Sequence, residues 1–380
     1  MKHILAALLA ALLLSLPAAA EEADWLIPPM RDYAPFTDTA GTICETAAGI
    51  CCRAGLMDGV DSRHFYPTSG LTHAQIIVIS ARLHRLLSGG DLDYFEPISR
   101  TGADWWKPYD GYLTENLPAL AGDPAYAAAV ESPTIGCTRG TFLTLLSAVL
   151  TGTDTALPEI NVVTAVPDCQ DPDILTFYRW GVLSGKDAYG TLEADASLSR
   201  AAAAAMLARL IDPAQRLTLE LQPLDLCRDL LGTEPETVIL TIGGQDITAE
   251  QFAPTIVSVC SGYNHDHFGS MGLEMSGRTV VDEAVDTLRR YILSETLAAE
   301  TGLEPPACET VYANGYRGLT AAGQTWTEEH VLLTDQLIKA QGALPRDRLP
   351  DVAYAPAWET LDLTGISARV AQLPYWGGTF

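Results

Sequence analysis

A mainly α protein follows from three features of the 380-residue sequence. Two stretches, AGLMDGVDSRHFYPTSGLTHAQIIVISARLHRL (54–86) and WGVLSGKDAYGTLEADASLSRAAAAAMLARL (180–210), share one pattern. A shorter relative, CTRGTFLTLLSAVL, occupies 137–150. The C-terminal half holds one short alternating stretch followed by apolar residues at helical spacing. The expectation is a run of helical repeats and then a small, mostly helical domain with a short strand.

The elements follow in chain order. Lys2, the apolar run Ile4 to Leu16 and the small residues Ala18-Ala19-Ala20 form a secretory leader over residues 1–20, too short and wrongly flanked for a spanning helix. An exported protein is expected. Roughly 360 residues remain, enough for two or three domains. The net charge of −25 argues against nucleic acid and against anionic membrane surfaces, and no membrane span is expected. An anionic ligand would need a local positive feature. Eight cysteines without a CxxC pair read as scattered small buried residues rather than as a zinc ribbon.

Each repeat unit has the same physical logic. A first helix should stop at Gly55 or Gly181. Gly59 or Gly185 then permits a tight turn or a close backbone approach. Thr72, Thr138 and Ser199, separated by 66 and 61 residues, are good N-caps for a second helix. Ile76, Ile79, Ala81 and Leu83 in one copy, and Met206, Leu207 and Leu210 in another, form its core-facing stripe. One such pair cannot bury its own face, so the copies should pack together. The basic residue after each cap (His73, Arg139, Arg200) is open to two readings, a solvated surface charge or a ligand for an anion.

Thr72-His73-Ala74-Gln75, Thr138-Arg139-Gly140-Thr141 and Ser199-Arg200-Ala201-Ala202, each at a helix start, resemble the Thr-Arg-Ala-Glu signature of the S-layer homology (SLH) domain. Phe36-Thr37-Asp38, Trp105-Trp106-Lys107-Pro108-Tyr109 and Val166-Pro167-Asp168 fit the starts of its three units. The resemblance covers residues 33–213, divided into repeats at 33–90, 91–152 and 153–213. It implies a pseudo-three-fold helical domain that holds an anionic, often pyruvylated, secondary cell-wall polysaccharide, and hence a cell-surface, S-layer-associated location. A helix N-terminus favours anions, and an arginine there can grip a carboxylate with two hydrogen bonds. The binding residues so implied are Arg200, Arg139, Ser199, Thr138, Thr72, His73, Gly185 and Gly59, with Arg200 ranked first. His73, in place of arginine, weakens the first corner.

Residues 214–236 read as a connector and 237–380 as a second domain. Val238, Leu240 and Ile242 alternate as a strand, Gly243-Gly244 makes a turn, and Thr248-Ala249-Glu250-Gln251 starts a helix. A second helix carries Val281, Val285, Leu288 and Ile292 and stops at Gly302. A further one is expected over Thr327 to Gln341. The stretch Ile242 to Thr248, followed by Ala284 to Leu303, resembles the N-terminal chaperone segment of SurA-type foldases. That resemblance implies unfolded or surface-protein clients. No parvulin catalytic domain follows, so no enzymatic activity is expected; Tyr375-Trp376-Gly377-Gly378 ends the chain without a matching sequence. His265 and His267 have metal-like spacing but read as a solvated polar loop, and neither metal nor cofactor is expected. The two aromatic readings, core packing or a sugar-stacking surface, are both open for Trp105, Trp106 and Trp180, with core packing favoured for Trp180.

Overall fold

A computed structural model describes residues 25–96, 102–266, 277–304 and 318–373. The leader, Cys308, His267 and Tyr375 to Gly378 lie outside the described residues. The protein is mainly helical with one small sheet. Among the described residues no helix is long and apolar enough to cross a membrane. The chain divides into two compact units. One holds the described residues up to Lys186 and Leu192–Glu220; the other holds Asp187–Thr191 and Leu221 onward.

In the first unit the helices come in pairs: α1 (Glu45–Arg53) and α2 (His73–Leu87), α3 (Lys107–Asn116) and α5 (Arg139–Gly152), α6 (Pro172–Arg179) and α7 (Arg200–Ile211). The middle pair has an extra helix, α4 (Pro124–Glu131), started by the Asp123 cap and Pro124. α1 and α6 end alike. Gly55 (φ 72°) donates to Cys52 O at 3.0 Å and Leu56 to Cys51 O at 3.0 Å; Gly181 (φ 74°) donates to Tyr178 O and Val182 to Phe177 O, both at 2.9 Å. These are Schellman ends, which need the left-handed backbone that glycine supplies cheaply. Asp38 and Asp168 also match. Asp38 accepts from Phe65 N and Tyr66 N at 2.9 and 2.7 Å, and Asp168 from Leu192 N and Glu193 N at 2.8 and 2.7 Å. Each carboxylate pins a loop whose second residue is left-handed, Tyr66 at φ 55° and Glu193 at φ 51°.

The three pairs interlock in a ring. The first helix of each pair packs on the second helix of the preceding pair: α3 on α2, α6 on α5, and α1 on α7. At the centre, Leu71 N donates to Leu198 O (2.9 Å), Leu198 N to Cys137 O (3.0 Å) and Cys137 N to Leu71 O (2.8 Å). Short antiparallel bridges, Gly70 with Ser199, Thr72 with Gly136 and Thr138 with Ser197, surround this triangle. The expected stripes are buried: Ile76, Ile79, Ala81 and Leu83 in α2, and Met206, Leu207 and Leu210 in α7. Trp106 and Trp180 belong to the core and Trp105 is half-buried. The seven cysteines among the described residues are buried, except the half-buried Cys52. Burial pushes the Cys137 thiol up to about 12, which leaves it unreactive at neutral pH.

Two predictions arise here. A methyl group on Gly59 would sit 2.4 Å from Asp61 O and 2.4 Å from Phe36 Cε1. Backbone cannot yield cheaply, so Gly59→Ala should destabilise the first unit by about 2 kcal/mol, read from the denaturation midpoint. The second concerns His84, buried between α2 and α3 with Nδ1 3.0 Å from Tyr112 Oη. Burial holds its pKa below the ordinary value, so the unfolded chain takes up the proton first. The stability it contributes is complete above its unfolded pKa of about 6.5 and is lost as pH falls below that value. Wild type should therefore lose more stability than His84→Gln between about pH 7.5 and 5.5.

The second unit holds α8 (Leu226–Leu231), a hairpin of β1 (Val238–Ile242) and β2 (Gln245–Thr248), then α9 (Ala249–Asp266), α10 (Gly277–Thr301), α11 (Ala321–Gln341), β3 (Val352–Tyr354) and α12 (Ile366–Gln372). The sheet order is β2-β1-β3, all antiparallel, with Ile242 opposite Gln245 and Val352. Gly243 and Gly244, at φ 58° and 88°, make the two-residue turn whose twist suits a hairpin. Thr248 N donates to Gln251 Oε1 at 2.8 Å, one arm of a capping box. Ile242, Ile247, Phe252, Ile256, Ala284 and Leu288 share one core.

Three expectations need correction. Residues 214–236 are not all connector: α8 buries Leu226, Cys227, Leu230 and Leu231 in that core. Residues 264–266 are the last turn of α9 rather than a loop. The third expected helix starts six residues earlier, where Thr320 caps Gly323 N at 3.2 Å.

Candidate functional site: three helix corners

The three caps form as the sequence predicts. Thr72 accepts from Gln75 N while Gln75 Oε1 accepts from Thr72 N at 3.0 Å, a complete capping box. Thr138 accepts from Thr141 N and Ser199 from Ala202 N, both at 3.2 Å. Each cap contributes about 1 kcal/mol.

The helix starts do not, however, offer free N–H groups. His73 N donates to Ile135 O (3.0 Å), Arg139 N to Ala196 O (2.9 Å) and Arg200 N to Ser69 O (2.8 Å). The next residues do likewise: Ala74 N to Pro133 O (2.9 Å), Gly140 N to Ala194 O (2.7 Å) and Ala201 N to Pro67 O (2.9 Å). Each start is thus capped by the loop of the following unit around the ring. The orphan donors of a helix N-terminus are spent on holding the ring together. Anion recognition at these corners falls to side chains.

The three basic side chains differ. His73 Nδ1 lies 2.9 Å from Ser132 O in the loop of the second helix pair, and its ring is half-buried. Arg200 is 7% exposed; its Nε donates to Phe65 O at 2.7 Å and its Nη2 to Asp58 O at 2.5 Å. Its guanidinium also lies 4.5 Å from the Phe65 ring centre. Arg200 is therefore a clasp between the third pair and the first. Gly59 lies beside this clasp, where its missing side chain lets the loop pass close to Phe36. Gly185, before the last helix of the third pair, has a left-handed backbone at φ 78°.

Arg139 occupies the equivalent corner between the second pair and the third, but it has no such clasp. It is 8% exposed, and its Nε is buried without a hydrogen-bond partner. Burial pulls the guanidinium below its ordinary pKa, opposed by Tyr178, Glu193 and Asp168. Arg209 is also held below its ordinary pKa, chiefly by burial and to a lesser extent by the Arg139 charge. The Arg139 guanidinium thus sits in a poorly hydrated corner with an empty donor, Nε. An anion there would complete the hydrogen bonding.

Comparison with protein families, with curated proteins and with solved structures found no match for this chain. Among the described residues no group of three metal-ligating side chains converges. Sequence reasoning missed Arg209, although its signal was visible: both long repeats end in Ala-Arg-Leu. In the structure Arg82 Nη1 donates to Gly55 O at 3.3 Å and Arg209 Nη1 to Val182 O at 3.1 Å. The shared arginine satisfies carbonyls at the end of the first helix.

Proposed function

We propose that the first unit is an SLH-type wall-binding domain and that it anchors an exported surface protein to an anionic, often pyruvylated, secondary cell-wall polysaccharide. The ring of three interlocked helix pairs supports the pseudo-three-fold arrangement that the sequence resemblance implies. The matched Schellman ends and the Asp38 and Asp168 clamps support it in the first and third pairs, and the helix caps in all three. The second unit is read as a non-catalytic interaction domain, supported by the strand, turn and helix order that prompted the comparison with SurA-type segments.

One observation carries the binding assignment. The Arg139 guanidinium is buried and its Nε has no hydrogen-bond partner, in a chain whose overall charge repels anions. The carboxylate of a pyruvyl substituent fits such a corner, since it accepts from the planar fork without needing a large cavity. Arg200 is reassigned in this reading to holding the ring, and Arg139 becomes the principal ligand.

Co-sedimentation of the full chain with purified wall sacculi tests the proposal. The protein should pellet with intact sacculi and remain in solution with sacculi stripped of the secondary polymer. Equal pelleting with both would overturn polymer binding, and failure to pellet with intact sacculi would overturn wall attachment.

A further inference from the structure

The boundary between the second and third helix pairs also contains a cleft of about 300 Å³, lined by the C-terminal half of α5, the turn after it and α6. Phe177 and Trp180, both largely buried, line it, packed edge to face with ring centres 5.8 Å apart. Thr151, Thr155, Asp154 and Asp173 line it as well. Among the described residues, neither carboxylate is ion-paired, and no lysine, arginine or histidine lines the cleft. Asp154 is held at φ 50° at the edge of the cleft, where Asp154 N donates to Thr151 O and Thr155 N to Leu150 O.

This chemistry selects by charge. Two carboxylates without a counter-ion reject an anionic group, so the cleft cannot duplicate the Arg139 corner. A lining that combines aromatic carbon with hydroxyls and carboxylates instead complements a pyranose ring, which has C–H groups and hydroxyl donors. The volume is at the small end of ligand sites and suits one sugar unit. Arg139 begins the same helix that ends at the cleft. Twelve residues at 1.5 Å each place Thr151 about 18 Å along the axis from Arg139. On the other wall, Tyr178, the electrostatic neighbour of Arg139, directly follows Phe177.

We infer that this cleft is a subsite for an uncharged pyranose unit of the wall polymer. It rests on the wall-polymer reading for its biological ligand. Arg139 would then read the acidic substituent and the Phe177–Trp180 cleft a neutral sugar further along the same chain. Such two-point reading would set the polymer's register, because the repulsive cleft excludes the substituent that Arg139 accepts.

Full-length protein labelled with 5-fluorotryptophan tests this by fluorine NMR. The Trp180 resonance is assigned by its disappearance in Trp180→Phe. Methyl glucoside and methyl N-acetylglucosaminide are the neutral probes, and pyruvate is the anionic one. At least one neutral glycoside should shift the Trp180 resonance saturably, and the paired variant Thr151→Val/Asp154→Leu should bind it at least about tenfold more weakly. Pyruvate should leave that resonance unmoved. No shift with either glycoside, or a saturable shift with pyruvate, would overturn the subsite whatever the sacculus experiment gives. Shifts with the glycosides but no pelleting would leave the subsite standing and remove its polymer.

Discussion

Arg200→Ala is expected to destabilise the first unit by about 3 kcal/mol, the largest loss among the single substitutions considered. The substitution removes two charge-assisted hydrogen bonds and a ring contact, and it strands two carbonyls, Phe65 O and Asp58 O, in a partly buried loop. Arg200→Lys should recover little of this, because one ammonium cannot replace a planar fork that reaches two carbonyls at once. Hydrogen exchange followed by mass spectrometry is the suitable readout. Protection should fall in α7 and in residues 58–70, which the clasp joins. Unchanged protection in both segments would contradict the clasp.

Arg139→Met should have the opposite profile. Replacing a buried, incompletely bonded guanidinium with an apolar chain of similar length removes a desolvation cost, so stability should be unchanged or raised. Affinity for the wall polymer should fall by at least about tenfold, since a charge-assisted bond to a carboxylate is worth roughly 1.5–3 kcal/mol. Arg139 and Arg200 occupy equivalent helix positions, so the pair separates ligand from clasp within one architecture. A loss of stability in Arg139→Met would place Arg139 in the same structural role as Arg200.

Much of this architecture is legible in the sequence because it depends on local chemistry. Gly55 and Gly181 announce helix ends, Thr72, Thr138 and Ser199 announce helix starts, and the apolar spacing of α2 and α7 announces their buried faces. The hairpin at Gly243-Gly244 is equally local. What escapes is long-range. Arg200 reaches a carbonyl 135 positions away, and nothing near Ser199 reveals that its fork is already filled. The same limit produced the expectation of free N–H groups at the helix starts, whose partners belong to the next unit of the ring. Short elements escape for another reason: α8 has six residues and β3 three, too few to show a period. β3 also lies between Pro350 and Pro356 and is ordered by pairing with β1 rather than by its own composition.

The ranking of candidate ligands reverses for a physical reason. On sequence Arg200 ranks first because its corner best preserves the signature, yet the best-preserved corner is the one whose arginine is fully employed within the protein. Under-satisfaction marks the stronger candidate, and Arg139 shows it.

The most direct measurement is sacculus co-sedimentation of full-length Arg139→Met beside wild type, with the denaturation midpoint of each recorded in the same buffer. Wild type should pellet, and the variant should remain largely in solution with a midpoint equal to or above that of wild type. A correctly folded Arg139→Met that pellets as well as wild type would contradict the assignment of this corner to the polymer.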